Sequence, residues 1–172
     1  MADNKTDAIV QYVNDALARV EERIVVLTGR TDYARFSFEL TGVDFVRSRK
    51  IEGKSIDEMV DTCVQEILKA GLVENITYSP SPLPDPEGDV EFRISGCIHL
   101  PKEKKLKADG VTPFICPIGN ILSTVMTENA NYEMGSAGVR NGEINYEKNE
   151  CVLKGTLCRN VDEAIARMEQ EL

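Results

Sequence analysis

The stretch from Ser55 to Ala70 constrains the fold more than any other, because seven apolar residues recur in it at helical spacing. Ser55 and Glu58 form a capping box, in which each side chain satisfies a free backbone N–H at the helix start. Gly71 supplies the C-terminal stop. These signals predict an amphipathic helix with one broad buried face. Cys63 lies within that face and is interpreted as a core residue.

Helical periodicity is also present at the N-terminus, where the segment from about Lys5 to Leu27 is predicted to be a helix. Its apolar residues recur at spacings of three and four, which puts them on one stripe. The stripe consists of Ile9, Val13, Leu17, Val20 and Ile24. The next segment, from Asp32 to Ser48, suits both a helix and a strand. Its aromatic and β-branched content, together with Gly42, favours a strand or irregular structure.

Four of the chain's seven prolines fall between Ser79 and Asp89, which predicts an irregular loop. No internal repeat makes this loop a domain boundary. We therefore expect residues 1–172 to form a single domain with a Pro-rich loop at 79–89. After the loop, Val90, Phe92 and Ile94 alternate with polar residues. This alternation predicts a strand that continues to His99.

Several shorter signals follow that strand. The basic run from Lys102 to Lys107 is interpreted as a solvated loop or helix face. A helix is predicted from Pro117 to about Glu128. Asn141-Gly142 predicts a hairpin turn, and Lys154-Gly155 a second two-residue turn between a final pair of strands. A last short helix is predicted from Asn160.

The charge and the chain termini exclude several classes of partner. The net charge of −9 opposes binding to nucleic acid, which needs clustered Lys and Arg. No apolar run approaches the roughly 20 residues that span a bilayer, so no membrane association is expected. The N-terminus lacks the features of a secretory signal. We therefore expect a cytoplasmic protein whose cysteines stay reduced and serve as core, metal-binding or reactive residues.

The only histidine and the second and third cysteines lie near predicted ends of elements. Cys97 and His99 are two residues apart, so they share a face of the predicted strand, and their thiolate and imidazole groups both suit zinc. Cys116 precedes Pro117, which is well suited to the first helical position. Cys116 is therefore predicted to cap the helix, where free N–H groups and the helix dipole lower the pKa of a thiol.

The last two cysteines flank the predicted turn at Lys154-Gly155. Such a turn places Cys151 directly opposite Cys158, with Cβ atoms about 4.5–5.5 Å apart. We expect these two hairpin cysteines to converge with the preceding three residues on one side of the sheet. The predicted metal ligands are Cys97, His99, Cys116, Cys151 and Cys158. Zinc is the expected metal, with iron, an iron–sulfur cluster or no cofactor as alternatives, and five candidates exceed by one the four ligands of tetrahedral zinc.

These segments resemble the vinyl-reductase-like family, the small-molecule-binding domains often called hydrocarbon-binding proteins and frequent in archaea. The resemblance covers about residues 90–158 and rests on F-R-I-S-G-C-I-H, C-P-I-G-N-I-L-S-T-V-M-T-E and E-C-V-L-K-G-T-L-C. It implies an α+β domain with an antiparallel sheet packed against helices, a layout shared with haem-nitric-oxide sensors and Golgi-tethering subunits. The Pro-rich loop and the predicted C-terminal helix depart from the family pattern.

The resemblance also implies an apolar ligand pocket between the helices and the sheet, with the cysteine cluster as a metal site. The helix residues predicted to line the pocket are Ile118, Leu122, Val125 and Met126. The expected function is binding or sensing of a small apolar molecule, with a second copy of the chain as a further partner. One alternative is a cysteine-dependent enzyme with Cys116 as nucleophile and His99 as base. Another is a non-catalytic assembly subunit, in which the cysteines are structural.

Overall fold

The structure is a computed structural model that describes residues 2–29, 32–84, 88–113, 115–128 and 136–158. These residues form one α+β domain with five helices and a four-stranded sheet. The helices are α1 (Ala2–Thr28), α2 (Asp32–Arg49), α3 (Ile56–Lys69), α4 (Leu100–Ala108) and α5 (Pro117–Glu128). The strands are β1 (Asn75–Ser79), β2 (Gly88–Ser95), β3 (Ser136–Asn145) and β4 (Glu150–Cys158). The predicted fold class is confirmed.

The sheet has the strand order β1-β2-β4-β3, and all neighbouring strands are antiparallel. Its two faces differ because side chains alternate along each strand. Phe92, Ile94 and Leu153 point into the core, whereas Arg93 and Lys154 on the other face are exposed. Helices α3 and α5 pack on the inner face, α2 packs on α5, and α1 packs on α4. The core therefore lies between the sheet and the α3–α5 layer.

Helix α3 confirms the strongest prediction. The Ser55 hydroxyl accepts a hydrogen bond from the Glu58 N–H at 3.2 Å. The Glu58 carboxylate accepts one from the Lys54 N–H at 2.8 Å, one residue before the predicted donor. Gly71 follows the helix with a φ of +69°, the left-handed conformation that glycine favours. The apolar face, including Cys63, is buried in the core.

Helix α2 contradicts the prediction of a strand or irregular structure. Gly42, which favoured a strand in the sequence, lies where α2 crosses α5. A Cβ at this position would overlap the backbone carbonyl of Asn120 and lie 2.7 Å from the Thr124 hydroxyl oxygen. The glycine is therefore explained by close helix packing. Local β propensity was overridden by this tertiary contact.

Helix α1 occurs where it was predicted, and three of the five residues of its apolar stripe are exposed. Ile9 is 54% exposed, and Val13 and Val20 are each 42% exposed. The buried positions are Asn14, Ala18 and Glu21. Hence α1 docks on the domain mainly through polar and small side chains.

The two predicted hairpin turns are also wrong. Asn141-Gly142 lies inside β3, at the start of an irregularity in its pairing with β4. The chain reverses instead at residues 146–149, where Asn149 has a φ of +54°. Lys154-Gly155 lies in the middle of β4, paired on both sides. A two-residue turn of this kind needs positive φ angles, and Gly155 has none.

The remaining expectations concern the loop and the chain termini. Within the Pro-rich loop, Leu83 is buried, and its N–H donates to the Asp57 carboxylate at 2.7 Å. The loop is thus tied to the start of α3. The helix predicted from Asn160 lies outside the described residues. None of the helices in the described ranges is long and apolar enough to cross a membrane.

Candidate functional site

Cys97 and His99 lie beyond the strand that was predicted to carry them. Strand β2 ends at Ser95, and Gly96 turns the chain with a φ of +64°. His99 then occupies the cap position at the start of α4. The prediction of a shared strand face is therefore wrong. Even so, both side chains line the same cavity.

Cys116 caps α5 as predicted. The Asn120 N–H donates to the Cys116 carbonyl at 2.9 Å, which is the first hydrogen bond of the helix. The Gly119 N–H donates to Cys116 Sγ at 3.3 Å. The predicted lowering of the thiol pKa is wrong, however. Burial raises the pKa of Cys116 to about 12, and the hydrogen bond from Gly119 only partly opposes it.

Cys151 and Cys158 are not opposite each other, because both belong to β4. Cys151 is paired with Ile94 on one side and Ile144 on the other. Cys158 ends the strand, seven residues later, so the two backbones are about 23 Å apart at roughly 3.3 Å per residue. The side chain of Cys158 lies outside the described part of the structure. The distance between the two backbones contradicts the prediction that Cys158 shares one metal ion with Cys151.

Four of the five predicted ligands line one small cavity, which we call the thiol cavity. Its lining residues are Cys97, His99, Leu100, Glu103, Cys116, Pro117, Ile118, Ile144 and Cys151. Its volume is about 20 Å³, which is enough for one water molecule or one ion. A cavity that binds benzene measures about 150 Å³. In this conformation the thiol cavity does not admit an aromatic molecule.

The polar groups of the thiol cavity are mostly uncharged at neutral pH. Burial raises the pKa of Cys97 and brings that of Cys151 to about 12. Burial, together with the nearby Lys102 ammonium, lowers the pKa of His99 to about 4. Three thiols and a neutral imidazole therefore face this space. Thiol, imidazole and carboxylate are donors that suit zinc once the thiols are deprotonated. Across the described residues, no three such side chains are arranged so that they could already hold a metal ion.

The tautomer of His99 follows from its contact with α1. Asn14 Nδ2 donates to the Ile98 carbonyl at 2.6 Å, so Asn14 Oδ1 is the acceptor that faces the ring. His99 Nδ1 lies 3.3 Å from that oxygen and therefore carries the proton. This leaves Nε2 with the lone pair. A ring held in this way is oriented as metal-binding histidines are.

A buried charge cluster adjoins the thiol cavity and was missed in the sequence. Lys102 Nζ contacts the Glu21 carboxylate of α1, lies 2.8 Å from Glu103 Oε1 and donates to the Ile115 carbonyl at 2.5 Å. We call Glu21, Lys102 and Glu103 the Lys102 cluster. All three residues are buried, so the interpretation of the basic run as a solvated face is wrong for Lys102.

One sequence signal could have revealed the Lys102 cluster. Leu100 and Leu106 are both buried, and Lys102 and Glu103 lie four and three residues before Leu106. Residues at these spacings share one helix face. A prediction of helix for this segment would thus have placed both charged side chains on its buried face.

The four residues predicted to line a ligand pocket are all buried in the core. Ile118, Leu122, Val125 and Met126 belong to the same apolar cluster as α3 and the sheet. Of these four, Ile118 also lines the thiol cavity. A larger open hollow of about 490 Å³ lies on the outer face of the sheet. Asp89, Glu91 and Lys154 line it, which makes it unsuitable for an apolar molecule.

Comparison with known proteins defines the fold class more closely. No family model matches the chain, and no curated protein matches it in sequence. Among solved structures, it has the fold of a ligand-responsive sensory domain. One matching structure is the phenol-responsive sensory domain of the transcription activator PoxR, crystallised with phenol. The two have a TM-score of 0.64 and 13% sequence identity, and the match covers 91% of this chain and 80% of that chain.

Proposed function

We propose that this chain is a small-molecule-sensing domain that binds a small apolar ligand in the cytoplasm. The observation that carries the proposal is the likeness in fold to a phenol-responsive sensory domain over 91% of the chain. The ligand would enter between α5 and the sheet, next to the thiol cavity. The predicted lining residues Ile118, Leu122, Val125 and Met126 are all in that layer.

In the part of the chain that the structure describes, a ligand that binds beside α5 would have to enlarge the thiol cavity. The thiol cavity of about 20 Å³ is several times smaller than a phenol-sized ligand requires. Binding is therefore coupled to a movement of the surrounding elements, and α4 is the element best placed to move. It is short, and its contacts with α1 depend on charged side chains. Such a movement would transmit the presence of ligand to α1.

We further propose that the predicted metal ligands Cys97, His99, Cys116 and Cys151 bind a zinc or iron ion, without Cys158, whose backbone lies about 23 Å from that of Cys151. The support is that these four line one cavity and are of the donor types that these metals select. When bound, the metal would supply a rigid link between α4, α5 and β4. Because the thiols must lose their protons, metal affinity would rise with pH.

The apolar stripe of α1 supports the expectation of a second copy of the chain as partner. Ile9, Val13 and Val20 are exposed on one side of a long helix whose opposite side docks on α4. Contiguous exposed apolar residues on a helix are typical of an interaction surface. In a dimer, α1 would be the element through which ligand binding changes the partner subunit.

The alternative of an enzyme with Cys116 as nucleophile has less support. The raised pKa of about 12 keeps Cys116 as a thiol at neutral pH, whereas the thiolate is the nucleophile. In the described part of the chain, Cys116 Sγ accepts from Gly119 N–H and His99 Nδ1 contacts Asn14. No hydrogen bond joins Cys116 to His99 there, as nucleophile activation would require.

A thermal-shift experiment tests the sensing proposal. Phenol, a long-chain alcohol and an isoprenoid alcohol are titrated against the full chain. A ligand that binds the folded state stabilises it by about 2.7 kcal/mol at a concentration of 100 times Kd, which raises the Tm. Ile118→Phe would extend a larger side chain into the thiol cavity, which Ile118 lines, and should reduce the shift. The matched control Val26→Phe, at a position that is exposed on α1, would keep it.

The outcome that contradicts the proposal is a Tm unchanged by every ligand. A shift that Ile118→Phe retains in full would place the ligand elsewhere. In that case the outer-face hollow becomes the site to examine.

A further inference from the structure

The two carboxylate oxygens of Glu103 differ in what they contact. Oε1 lies 2.8 Å from Lys102 Nζ. Oε2 is buried and has no hydrogen-bond partner among the residues that the structure describes. The whole residue is only 5% exposed, so bulk solvent does not satisfy this oxygen either. A buried acceptor without a donor is costly, which makes Oε2 an atom at which a partner is needed.

The Glu103 carboxylate faces the thiol cavity. Glu103 lines this cavity together with Cys97, Cys116 and Cys151. Burial is the main cause of the raised pKa values of the three thiols, and the negative charge of Glu103 raises them further. Such an effect requires the carboxylate to lie close to all three sulfur atoms. The oxygen without a partner therefore belongs to the cavity wall.

The remaining walls of the thiol cavity offer no competing charge. Leu100, Pro117, Ile118 and Ile144 supply its apolar part, and the thiols are uncharged and only weak hydrogen-bonding groups. A carboxylate can only accept hydrogen bonds, so a group that satisfies Oε2 has to donate one. The volume of about 20 Å³ suits a group of the size of a water molecule. A hydroxyl group has this size and carries the required donor.

We propose that Glu103 Oε2 accepts a hydrogen bond from a hydroxyl group of the ligand, whose apolar body lies between α5 and the sheet. This inference rests on the proposed ligand binding and narrows the ligand to an apolar molecule with an alcohol or phenol group. It does not depend on the proposed metal. An ammonium group would also donate, but the Lys102 ammonium on the same carboxylate would repel it. Lys102 is a positioning residue, because it holds Oε1 and leaves Oε2 for the ligand.

This arrangement should discriminate between ligands of similar shape. A ligand without a polar group would leave Oε2 buried without a donor, and a ligand with only an acceptor would place two acceptors side by side. A site that hydrogen-bonds a hydroxyl group rejects the analogue that lacks it for this reason. Phenol, toluene and anisole form a suitable series. Phenol donates and accepts a hydrogen bond, anisole only accepts, and toluene does neither.

The experiment measures the Kd of each of these three ligands for the full chain by isothermal titration calorimetry. A chelator in the buffer keeps metal ions out of the thiol cavity. A weakly alkaline pH keeps Glu103 as a carboxylate, although burial raises its pKa. The wild type should bind phenol at least about 10-fold more tightly than toluene or anisole.

The variant Glu103→Gln should change the order of the three ligands. The Lys102 ammonium can only donate, so it would hold the amide oxygen and leave the amide nitrogen, a donor, facing the cavity. Anisole should therefore gain about 10-fold relative to phenol and bind about as tightly. The matched control is Glu66→Gln on α3. Glu66 Oε1 lies 2.9 Å from Lys69 Nζ, and Glu66 does not line the cavity, so this variant should keep the wild-type order.

Each other outcome decides against the role of Glu103. Equal affinity of the wild type for phenol and toluene would mean that a water molecule alone satisfies Oε2. A wild-type order in Glu103→Gln would mean that another group binds the hydroxyl, and equal weakening of all three ligands would indicate a purely structural role.

Two further cases are covered. If Glu103→Gln does not fold, the wild-type ratio of the phenol and anisole affinities decides, and a ratio near one overturns the inference. If phenol does not bind, the long-chain alcohol and its parent alkane replace phenol and toluene. Binding of the alkane as tight as that of the alcohol would overturn the inference and leave ligand sensing standing, whereas a chain that binds no ligand at all would contradict both.

Discussion

Helices α1 and α3 have similar apolar stripes in the sequence, yet they dock on the domain by different chemistry. Helix α3 buries its stripe against the sheet and α5. Helix α1 leaves much of its stripe in solvent and docks on α4 through Asn14, Ala18 and Glu21. The contrast shows that periodicity identifies an amphipathic helix but does not say whether its partner lies within the same chain.

The two interfaces should also respond differently to change. Burial of apolar surface is non-directional, so loss of one side chain at α3 costs packing and leaves the rest in place. At α1, the Lys102 cluster and the Asp15–Lys105 ion pair of 2.6 Å depend on both partners and on pH. Removal of one member of a buried charge cluster leaves the others uncompensated. The stability of the α1–α4 interface therefore depends on pH and on the presence of both partners of each charge pair.

The largest expected effect tests the α1–α4 interface. Lys102→Met should lower the free energy of unfolding by about 3–5 kcal/mol, because it removes the buried ammonium that both Glu21 and Glu103 contact. Urea denaturation at neutral pH measures it. The triple variant Glu21→Leu, Lys102→Met and Glu103→Leu should recover most of the loss, since apolar replacements of a whole buried cluster are often tolerated. A loss below about 1 kcal/mol in Lys102→Met would mean that charge does not hold α1 in place.

The next effect tests the apolar interface against the exposed stripe. Ile67→Ala should cost about 2–5 kcal/mol, because Ile67 is fully buried on α3 and its removal leaves a cavity. The matched substitution Ile9→Ala lies on α1, where the side chain is exposed, and should change stability by about 0.5 kcal/mol or less. Both are measured by denaturation at low protein concentration. Similar costs at the two positions would show that the stripe of α1 is buried in solution, for example in a dimer.

The smallest effect concerns pH at the junction of α1 and α4. His99 has an ordinary pKa of 6.5 and a folded-state pKa of about 4, so the unfolded chain binds the proton first as the pH falls. Stability that His99 contributes above pH 6.5 is therefore lost as the pH falls from 6.5 to below 4, by at most about 3–4 kcal/mol. Burial raises the pKa of Glu103, so the folded state takes up this proton before the unfolded state as the pH falls. Protonation of Glu103 therefore opposes the loss of stability that protonation of His99 causes.

The variant His99→Gln should make stability less dependent on pH in this window. Glu103→Gln should make the dependence steeper, because it removes the compensating group. Denaturation at a series of pH values measures both. If His99→Gln shows the same slope as the wild type, another group governs the acid sensitivity.

The sequence predicted those parts of the fold in which local signals and tertiary packing agree. The cap and stop of α3 and the Cys116–Pro117 start of α5 were correct because a side chain or glycine there satisfies backbone groups of its own helix. The prediction failed at Gly42, where the decisive contact is with Asn120. No local sequence pattern at Gly42 indicates a contact with a residue so distant in the chain.

The candidate site was predicted by residue type more successfully than by geometry. Cys97 and His99 line one cavity with Cys116 and Cys151, although β2 ends before Cys97 and the hairpin predicted at Lys154-Gly155 is a continuous strand. Glu103 was missed because a charged residue in a basic run is ordinarily solvated. Its burial depends on Glu21, which lies 82 positions earlier in the chain and supplies a second contact to Lys102.

Labelling of the free cysteines can also measure separately how often each of the two interfaces opens. Cys63 lies in the α3 face, and Cys97, Cys116 and Cys151 lie beside α4, all four as free thiols. A labelling reagent reacts only after the surrounding structure opens, because it needs both access and a thiolate. The labelling half-life of Cys63 therefore records excursions of the apolar layer. The half-lives of the other three thiols record how often α4 moves away from them, residue by residue and without an engineered cysteine.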